Sequence, residues 1–313
     1  ICVDDGSTDE SRNILEAYAK TDGRVIVILR KNRGPSIARN IGLRRARGKY
    51  CYLLDSDDLL KPDALEILYS ESEKHKLDVL YFNAQTIFED DGLAEKFSHY
   101  NDYYVRKNEY DEVKTGRLLF TQMWQNHEFF AQPCLQFINR QYLAELNLHF
   151  YKGIFHADEL FTFLLALQAK RVKHINTVFY TRRIRHNSIV TGKNKVDDFI
   201  GYFTCFAYMM KFANRSGYKN KVNAAVLEKV REIRQIATGK FGQLSDQEKL
   251  SIFFPASSYE SLVYNFFTRK FAQGAEFPAG KLSGRGLSLF TKVGELARFL
   301  NEYLLIRSSG LVN

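Results

Sequence analysis

Residues 1–88 alternate short apolar runs with longer amphipathic segments, which is the pattern of βαβ units and of a mostly parallel sheet. Ser7 and Glu10 have the spacing of a capping box before one amphipathic segment, and Pro35 suits the first turn of another. The chain is therefore predicted to open with an α/β domain. Helices are expected over 11–20, from Pro35 to Gly48 and after Pro62. Strands are expected over 1–3, 25–29, 50–54 and 79–82.

Carboxylates directly follow two of these strands, as Asp4-Asp5 and as DSDD at 55–58. In open sheets of this kind, ligands bind beyond the carboxyl ends of the strands. Crowded carboxylates such as Asp55 and Asp57 repel each other, and a hard divalent cation with oxygen ligands relieves that repulsion. A turn capped by acids is the alternative for an isolated DxD. Asp4 and Asp5 stand where a carboxylate would accept hydrogen bonds from a nucleotide base or a ribose hydroxyl.

The helix that opens at Pro35 carries Arg39 and Asn40, which would point back towards a nucleotide held at the strand ends. A solvated arginine on a helix face is the alternative. Further along, a strand is expected over 133–139, a helix over 159–169 and a strand over 172–183.

After about residue 195 the apolar spacing becomes helical, so a domain boundary is expected there, between residues 1–195 and 196–313. The segment 287–307 has Lys and Arg among its apolar positions, which suits either core packing or a helix lying on an anionic inner membrane leaflet. The helices expected beyond the boundary cover 199–214, 221–238, 247–254, 259–271 and 287–307.

The composition says more about the cellular compartment of the protein than about its binding partner. Lys and Arg number 45 against 36 Asp and Glu, an excess that fits nucleic acid, an anionic membrane or an anionic substrate such as a sugar diphosphate. The 4 cysteines lie far apart and form no CxxC spacing, so neither a zinc site nor a disulfide framework is expected. No apolar run approaches the ~18 residues of a membrane span. A reducing cytoplasm is the expected compartment.

Three motifs together resemble the inverting glycosyltransferases of family 2, which have the GT-A fold. They are ICVDDGSTDES, NRGPSIARNIGLRRARGKYCYLLDSDD and KPDALE, in the order and spacing of that family. The resemblance implies a Rossmann-like domain for nucleotide-diphospho-sugars over 1–195, followed by a helical region over 196–313. A chain of this family begins with a strand, a turn and a helix ahead of the position of Ile1, so the domain is expected to lack its first strand and helix.

The resemblance also implies roles for the acids at the strand ends. It implies that Asp4 or Asp5 contacts the nucleoside, with Arg39 nearby. It also implies that Asp55 contacts the ribose and that Asp57 binds Mn²⁺ or Mg²⁺.

The segment GIFHADELFTF resembles the part of the family that bears the general base, which maps onto Asp158. Where the family commonly has Glu before this aspartate, the chain has Ala157. A simple helix N-cap is the alternative for Asp158.

The segment YTRRIRHNSIVTG resembles the part of the family that follows the base-bearing helix. Arg182, Arg183 and Arg185 are candidates to clamp a diphosphate, and His186 is a candidate metal ligand alongside Asp57. Ser188 and Thr191 are expected to help hold the loop over the donor.

The function implied is transfer of a sugar, with inversion, from a nucleotide diphosphate donor to a hydroxyl of a glycan or lipid-linked acceptor in cell-surface polysaccharide synthesis. A UDP-sugar is the default donor, and no nucleic acid is expected. The enzyme would be cytoplasmic, with peripheral contact on the inner face of the plasma membrane. Three alternatives remain: an inactive truncated fragment, a non-catalytic basic protein that binds membrane or nucleic acid, and a phosphatase-like hydrolase. The last would use Asp55 as nucleophile and Asp57 as acid, and it leaves Asp4 and Asp5 unexplained.

Overall fold

The computed structural model describes residues 1–186, 194–215, 224–255 and 258–272. Its strands are β1 (Cys2–Asp4), β2 (Val27–Leu29), β3 (Tyr50–Tyr52), β4 (Leu59–Leu60), β5 (Val79–Phe88), β6 (Gln136–Asn139) and β7 (Val172–Ile184). Its α-helices are α1 (Ser11–Thr21), α2 (Pro35–Arg45), α3 (Ala64–His75), α4 (Asp91–Lys96), α5 (Gly116–Gln125), α6 (Arg140–Glu145), α7 (Ala157–Gln168), α8 (Lys195–Arg215), α9 (Ala224–Gly242), α10 (Asp246–Ser251) and α11 (Tyr259–Ala272).

The strands form two sheets. β1 pairs in parallel with β2, and a sheet of five strands has the order β3-β6-β5-β7-β4. Within it β5 and β7 are parallel, whereas β6 runs antiparallel to both β3 and β5, and β4 runs antiparallel to β7. The predicted α/β class is confirmed, but the sheet is mixed rather than mostly parallel. An apolar run indicates burial and carries no sign of strand direction, so the pattern alone could not show this.

The core is built on both faces of β5. Val79 and Tyr81 pack on one side with Phe161 of α7, while Leu80 and Phe82 pack on the other with α3 and β7 residues. A strand covered on both faces has a continuous apolar run instead of alternation. That explains why the apolar run over 79–82 is unbroken.

The predicted capping box at Ser7 and Glu10 is wrong. α1 begins at Ser11, whose backbone N–H donates to Asp9 at 3.0 Å. The Glu10 side chain accepts from the side chain of Asn13 at 2.7 Å instead. Ser7 lies in the tight turn after β1, too early to cap the helix.

The predicted helices over 199–214, 221–238, 247–254 and 259–271 correspond to α8, α9, α10 and α11, with ends shifted by a few residues. The segment 287–307 lies outside the described residues. None of the helices in the described part of the chain is long and apolar enough to cross a membrane.

By contacts the chain forms two compact units. One comprises Ile1–Ala213 with Tyr218–Ile252, and the other Asn214–Gly217 with Phe253–Asn313. Most of α8, with all of α9, therefore belongs to the same unit as the strands. The boundary near residue 195, and the division of the chain into 1–195 and 196–313, stay predictions.

Candidate active site

The loops that follow β1 and β2 touch each other. Asp4 is buried, and its carboxylate accepts a hydrogen bond from the backbone N–H of Ser7 at 3.2 Å. Gly6 has a φ of +86°, and a Cβ there would lie 2.9 Å from the backbone nitrogen of Asn32. Only glycine suits this position, because the two loops approach so closely and the backbone is left-handed.

Asp5 lies at the amino end of α2. Its carboxylate accepts from the backbone N–H of Arg33 at 3.1 Å and from that of Gly34 at 2.7 Å. Gly34 has a φ of +86° and directly precedes Pro35, the first residue of the helix. A carboxylate here interacts favourably with the helix dipole. Asp4 thus shapes its own loop and Asp5 joins that loop to the one after β2, and their contact with a nucleoside stays a prediction.

Arg39 on α2 connects two other predicted site residues. Its Nη2 donates to Oδ1 of Asp55 at 2.7 Å, and its guanidinium lies 5.5 Å from the centre of the Phe150 ring. Burial lowers the pKa of Arg39, but the carboxylates of Asp55 and Asp158 outweigh that effect and raise it. The Arg39 side chain is 25% exposed and that of Asp55 is 40% exposed, so a ligand can reach the pair.

The prediction that Asn40 points towards the nucleotide is wrong. Its amide nitrogen donates to the backbone oxygen of Phe150 at 2.8 Å, and its amide oxygen accepts from the Phe150 N–H at 2.9 Å. Asn40 is buried and fixes the segment before α7 onto α2.

The end of β7 covers the DSDD loop. Arg185 Nε lies 3.2 Å from Oδ2 of Asp57, and Arg183 donates through its guanidinium to the Asp57 backbone oxygen. Asp58 accepts from the Arg183 backbone N–H at 2.7 Å and from the hydroxyl of Tyr180. Burial raises the pKa of Asp58, although these hydrogen bonds oppose it. Asp58 thus anchors the loop. The carboxylate of Asp55 pairs with Arg39, and that of Asp57 pairs with Arg185.

The donor set at this loop fits a divalent cation only in part. Asp57 supplies a carboxylate that is 34% exposed and is paired with Arg185. No group of three or more His, Cys, Asp or Glu side chains within the described ranges is arranged to hold a metal. Mg²⁺ commonly binds through one or two carboxylates, water and substrate phosphates, and this chemistry needs no larger cluster.

Two residues of the predicted site have other partners here. Arg182 donates to the Tyr104 hydroxyl at 2.9 Å and lies 4.6 Å from the centre of the Tyr100 ring. His186 pairs with Asp90 at 2.6 Å, whereas Asp57 pairs with Arg185. A diphosphate clamp by Arg182 and Arg183, and a metal role for His186, stay predictions. Ser188 and Thr191 lie outside the described residues.

Asp158 lies in the first turn of α7. The N-cap of that helix is His156, so the alternative of Asp158 as a simple N-cap is wrong. Burial raises the pKa of Asp158 above its ordinary value of 3.8, and the charge of Glu159 raises it further, while Arg39 and His156 oppose both. Asp158 still keeps part of its surface in solvent. It is a carboxylate of raised basicity that a ligand can reach.

A cavity of about 540 Å³ adjoins the Arg39–Asp55 pair. Residues of β1, α2 and β3 and of the segment after β3 line it, among them the apolar Val3 and Leu53 and the charged Arg39 and Asp55.

Sequence reasoning missed the residues that hold the site in place. In the sequence Asp58 stands out only as part of DSDD, and the residues that anchor it lie on a strand more than a hundred residues later. His156 pairs with Asp198 at 2.6 Å, and no local pattern predicts that contact. His156 lies within GIFHADELFTF, and the helix predicted over 199–214 begins one residue after Asp198.

The fold is that of the GT-A glycosyltransferases. The structure aligns with S. aureus TarS, residues 1–349 in complex with UDP-GlcNAc, at a TM-score of 0.54 and 16% identity, over 90% of this chain and 84% of that chain. At this identity the likeness concerns the fold alone.

Residues 1–146 match the model of glycosyl transferase family 2. It is 31% identical to glycosyltransferase GlyG of Streptococcus pneumoniae over 194 residues, 61% of this chain and 62% of GlyG. It is 32% identical to the uncharacterized glycosyltransferase EpsJ of Bacillus subtilis over 192 residues, 60% of this chain and 53% of EpsJ. The chain thus spans less than two thirds of either relative. The family match ends before Asp158.

Proposed function

We infer that this protein is a glycosyltransferase that moves a sugar from a UDP-sugar to a hydroxyl of a glycan or lipid-linked acceptor, with inversion, in the synthesis of a cell-surface polysaccharide. The observation that carries this proposal is the position of Arg39, which bonds Asp55 and interacts electrostatically with Asp158. The family match and the UDP-GlcNAc complex of TarS support the class of donor. The pathway rests on the resemblance to family 2 enzymes.

In the proposed reaction Asp158 accepts the proton of the acceptor hydroxyl. The hydroxyl oxygen forms a bond to the anomeric carbon as the bond from that carbon to the UDP oxygen breaks, so the configuration inverts and UDP leaves. A general base must be basic enough to take the proton, and burial raises the pKa of Asp158 in that direction. No covalent enzyme intermediate is required.

The leaving diphosphate gathers negative charge, which fixed cations stabilise. Arg39 is held at the site by Asp55, while Arg183 and Arg185, at the end of β7, contact Asp57 of the DSDD loop. Asp57 would hold Mn²⁺ or Mg²⁺ together with the donor phosphates, and a bound cation would neutralise part of that charge. Asp4 and Asp5 would contact the nucleoside from the loops they shape.

Calorimetric titration with UDP, with and without Mn²⁺, tests the donor site. Asp57→Ala should lose the metal-dependent part of the binding, whereas Asp63→Ala, at an exposed position before α3, should bind as the wild type does. Equal binding with and without Mn²⁺ would remove the metal from the proposal. If the wild type binds neither UDP nor any UDP-sugar in a panel, the proposed donor is wrong.

A further inference from the structure

One face of α8 converges on the two residues that precede α7. Asp198, Gly201, Tyr202 and Cys205 are spaced by 3, 4 and 7 residues from the first, which places them on one side of a helix. All four contact the segment Phe155–His156.

The contacts are close and chemically varied. Asp198 Oδ1 lies 2.6 Å from Nε2 of His156, and the Tyr202 ring stacks on the His156 imidazole with centroids 3.8 Å apart and planes at 21°. The Cys205 thiol donates to the His156 backbone oxygen at 3.2 Å. A Cβ on Gly201 would lie only 2.5 Å from the backbone oxygen of Phe155.

His156 needs such support, because its backbone is left-handed with a φ of +59°. A residue other than glycine keeps that conformation only where its surroundings impose it. His156 is the N-cap of α7, and Asp158 is two residues further on. The conformation of His156 therefore sets the direction in which the first turn of α7, and with it the Asp158 side chain, enters the site.

Ion pairs hold the same region from other sides. Lys240 of α9 lies 2.5 Å from the second oxygen of Asp198. Lys229, also on α9 and buried, lies 2.9 Å from Glu159, the neighbour of Asp158. α9 thus supports both Asp198 and the first turn of α7.

We propose that the α8 face of Asp198, Gly201, Tyr202 and Cys205 is a positioning device for the reaction, which clamps His156 in its left-handed conformation and so fixes the Asp158 carboxylate against the acceptor hydroxyl. This rests on the proposed function in that Asp158 is the base. The four residues touch no substrate and act through the backbone of α7. They lie outside the part of the chain that matches the family model.

Gly201→Ala tests the clamp, because the added methyl group must push α8 away from Phe155. Gly239→Ala on α9 is the matched control, since nothing lies within 4 Å of a Cβ at that position. Hydrogen exchange of the amides over 155–162, followed by mass spectrometry, should be at least tenfold faster in Gly201→Ala and unchanged in the control. UDP affinity should stay within twofold in both variants, because the predicted donor residues lie on other elements.

Turnover separates positioning from mere packing. With a UDP-sugar that the wild type hydrolyses or transfers, kcat should fall about tenfold to a hundredfold in Gly201→Ala with the donor KM unchanged, as expected for a misplaced catalytic group. Asp198→Ala removes the contact with His156 and should lower kcat less than Gly201→Ala does. Asp198→Asn should keep most of the wild-type kcat, because it retains an oxygen that can accept from His156.

Unchanged exchange over 155–162 in both Gly201→Ala and Asp198→Ala would overturn the clamp. Faster exchange with unchanged kcat would overturn its role in catalysis. If the wild type neither binds UDP nor turns over a UDP-sugar, the proposed function fails, and the exchange measurement alone then supports or overturns the clamp.

Discussion

At the scale of single residues, the site places a carboxylate of raised pKa beside a fixed guanidinium. Burial and the charge of Glu159 raise the pKa of Asp158, whereas the positive charge of Arg39 lowers it. A carboxylate with a raised pKa can accept a proton in a reaction, but burying its charge lowers the stability of the folded protein.

Asp158→Asn is expected to slow transfer strongly and to stabilise the protein. Because the folded pKa of Asp158 lies above 3.8, stability is lost as pH rises from 3.8 through the folded pKa, and the full cost is present above that folded pKa. The variant removes that cost and should gain about 0.5–2 kcal/mol at pH 7, while turnover falls by about 10²–10⁴. Urea unfolding at pH 7 and at low pH measures the gain, which should shrink where the wild-type carboxyl is protonated. The exposed Asp63→Asn serves as control, and a destabilised Asp158→Asn at pH 7 would contradict the argument.

Arg39→Gln should move the acid limb of the rate profile to higher pH. Arg39 lowers the pKa of Asp158, so its removal raises that pKa, and the base then becomes protonated at a higher pH. The profile of kcat against pH, measured by UDP release, checks this. Arg44→Gln changes an exposed arginine on the same helix and should leave the limb in place. A limb that moves equally in both variants would mean that net charge, not contact with Asp158, is responsible.

The sequence predicted contacts between residues that are near each other in the chain better than contacts between distant residues. Arg39 and Asp55 are 16 positions apart within one motif block, and the structure brings them into contact. Asn40 is bonded to Phe150, 110 positions away, and His186 to Asp90, 96 positions away. Such partners are set by tertiary packing, which no short pattern encodes.

At the scale of elements, close helix packing depends on a few glycines. Gly116 begins α5 where that helix meets α7, and a Cβ on Gly116 would overlap the backbone oxygen of Ala166. The two helices can approach this closely only because the side chain is absent.

Gly116→Ala is therefore expected to destabilise the protein by about 1–3 kcal/mol or more, the usual cost of overpacking. Gly239→Ala should do the reverse and stabilise it by about 0.5–1 kcal/mol, since alanine is the better helix former and space is open there. Chemical unfolding of both variants compares them directly. Equal effects of the same sign would show that backbone entropy, not contact with α7, decides the outcome at Gly116.

Element identity was predictable and element direction was not. Apolar periodicity located β5 and β7 and most helices, because burial shapes those patterns. The antiparallel insertion of β6 between β3 and β5 depends on the path of the chain, which the pattern of four residues in β6 does not contain. Helix ends also shifted: α2 ends at Arg45, three residues before the predicted end at Gly48.

At the scale of the whole molecule, the question is where the functional unit ends. A change in sequence periodicity placed a boundary near residue 195, whereas contacts keep most of α8, and all of α9, with the strands. Phe199, Phe203, Val226 and Ile233 on these two helices are fully buried. Trp124 of α5 and Glu159 of α7 bond directly to Glu228 and Lys229 of α9.

A chain that ends at residue 252 is therefore expected to fold and to bind UDP as the full chain does, while one that ends at residue 194 should aggregate or unfold. The shorter chain loses the helices that bury the faces of α5 and α7, and with them the pairing of His156 to Asp198. Cooperative thermal unfolding and UDP titration on the two truncated chains measure the difference. A chain of residues 1–194 that unfolds cooperatively and binds UDP with full affinity would place the boundary where periodicity put it. It would also reduce α8 and α9 to an appendage, so that any effect of Gly201→Ala on turnover would have to arise elsewhere than in the positioning of Asp158.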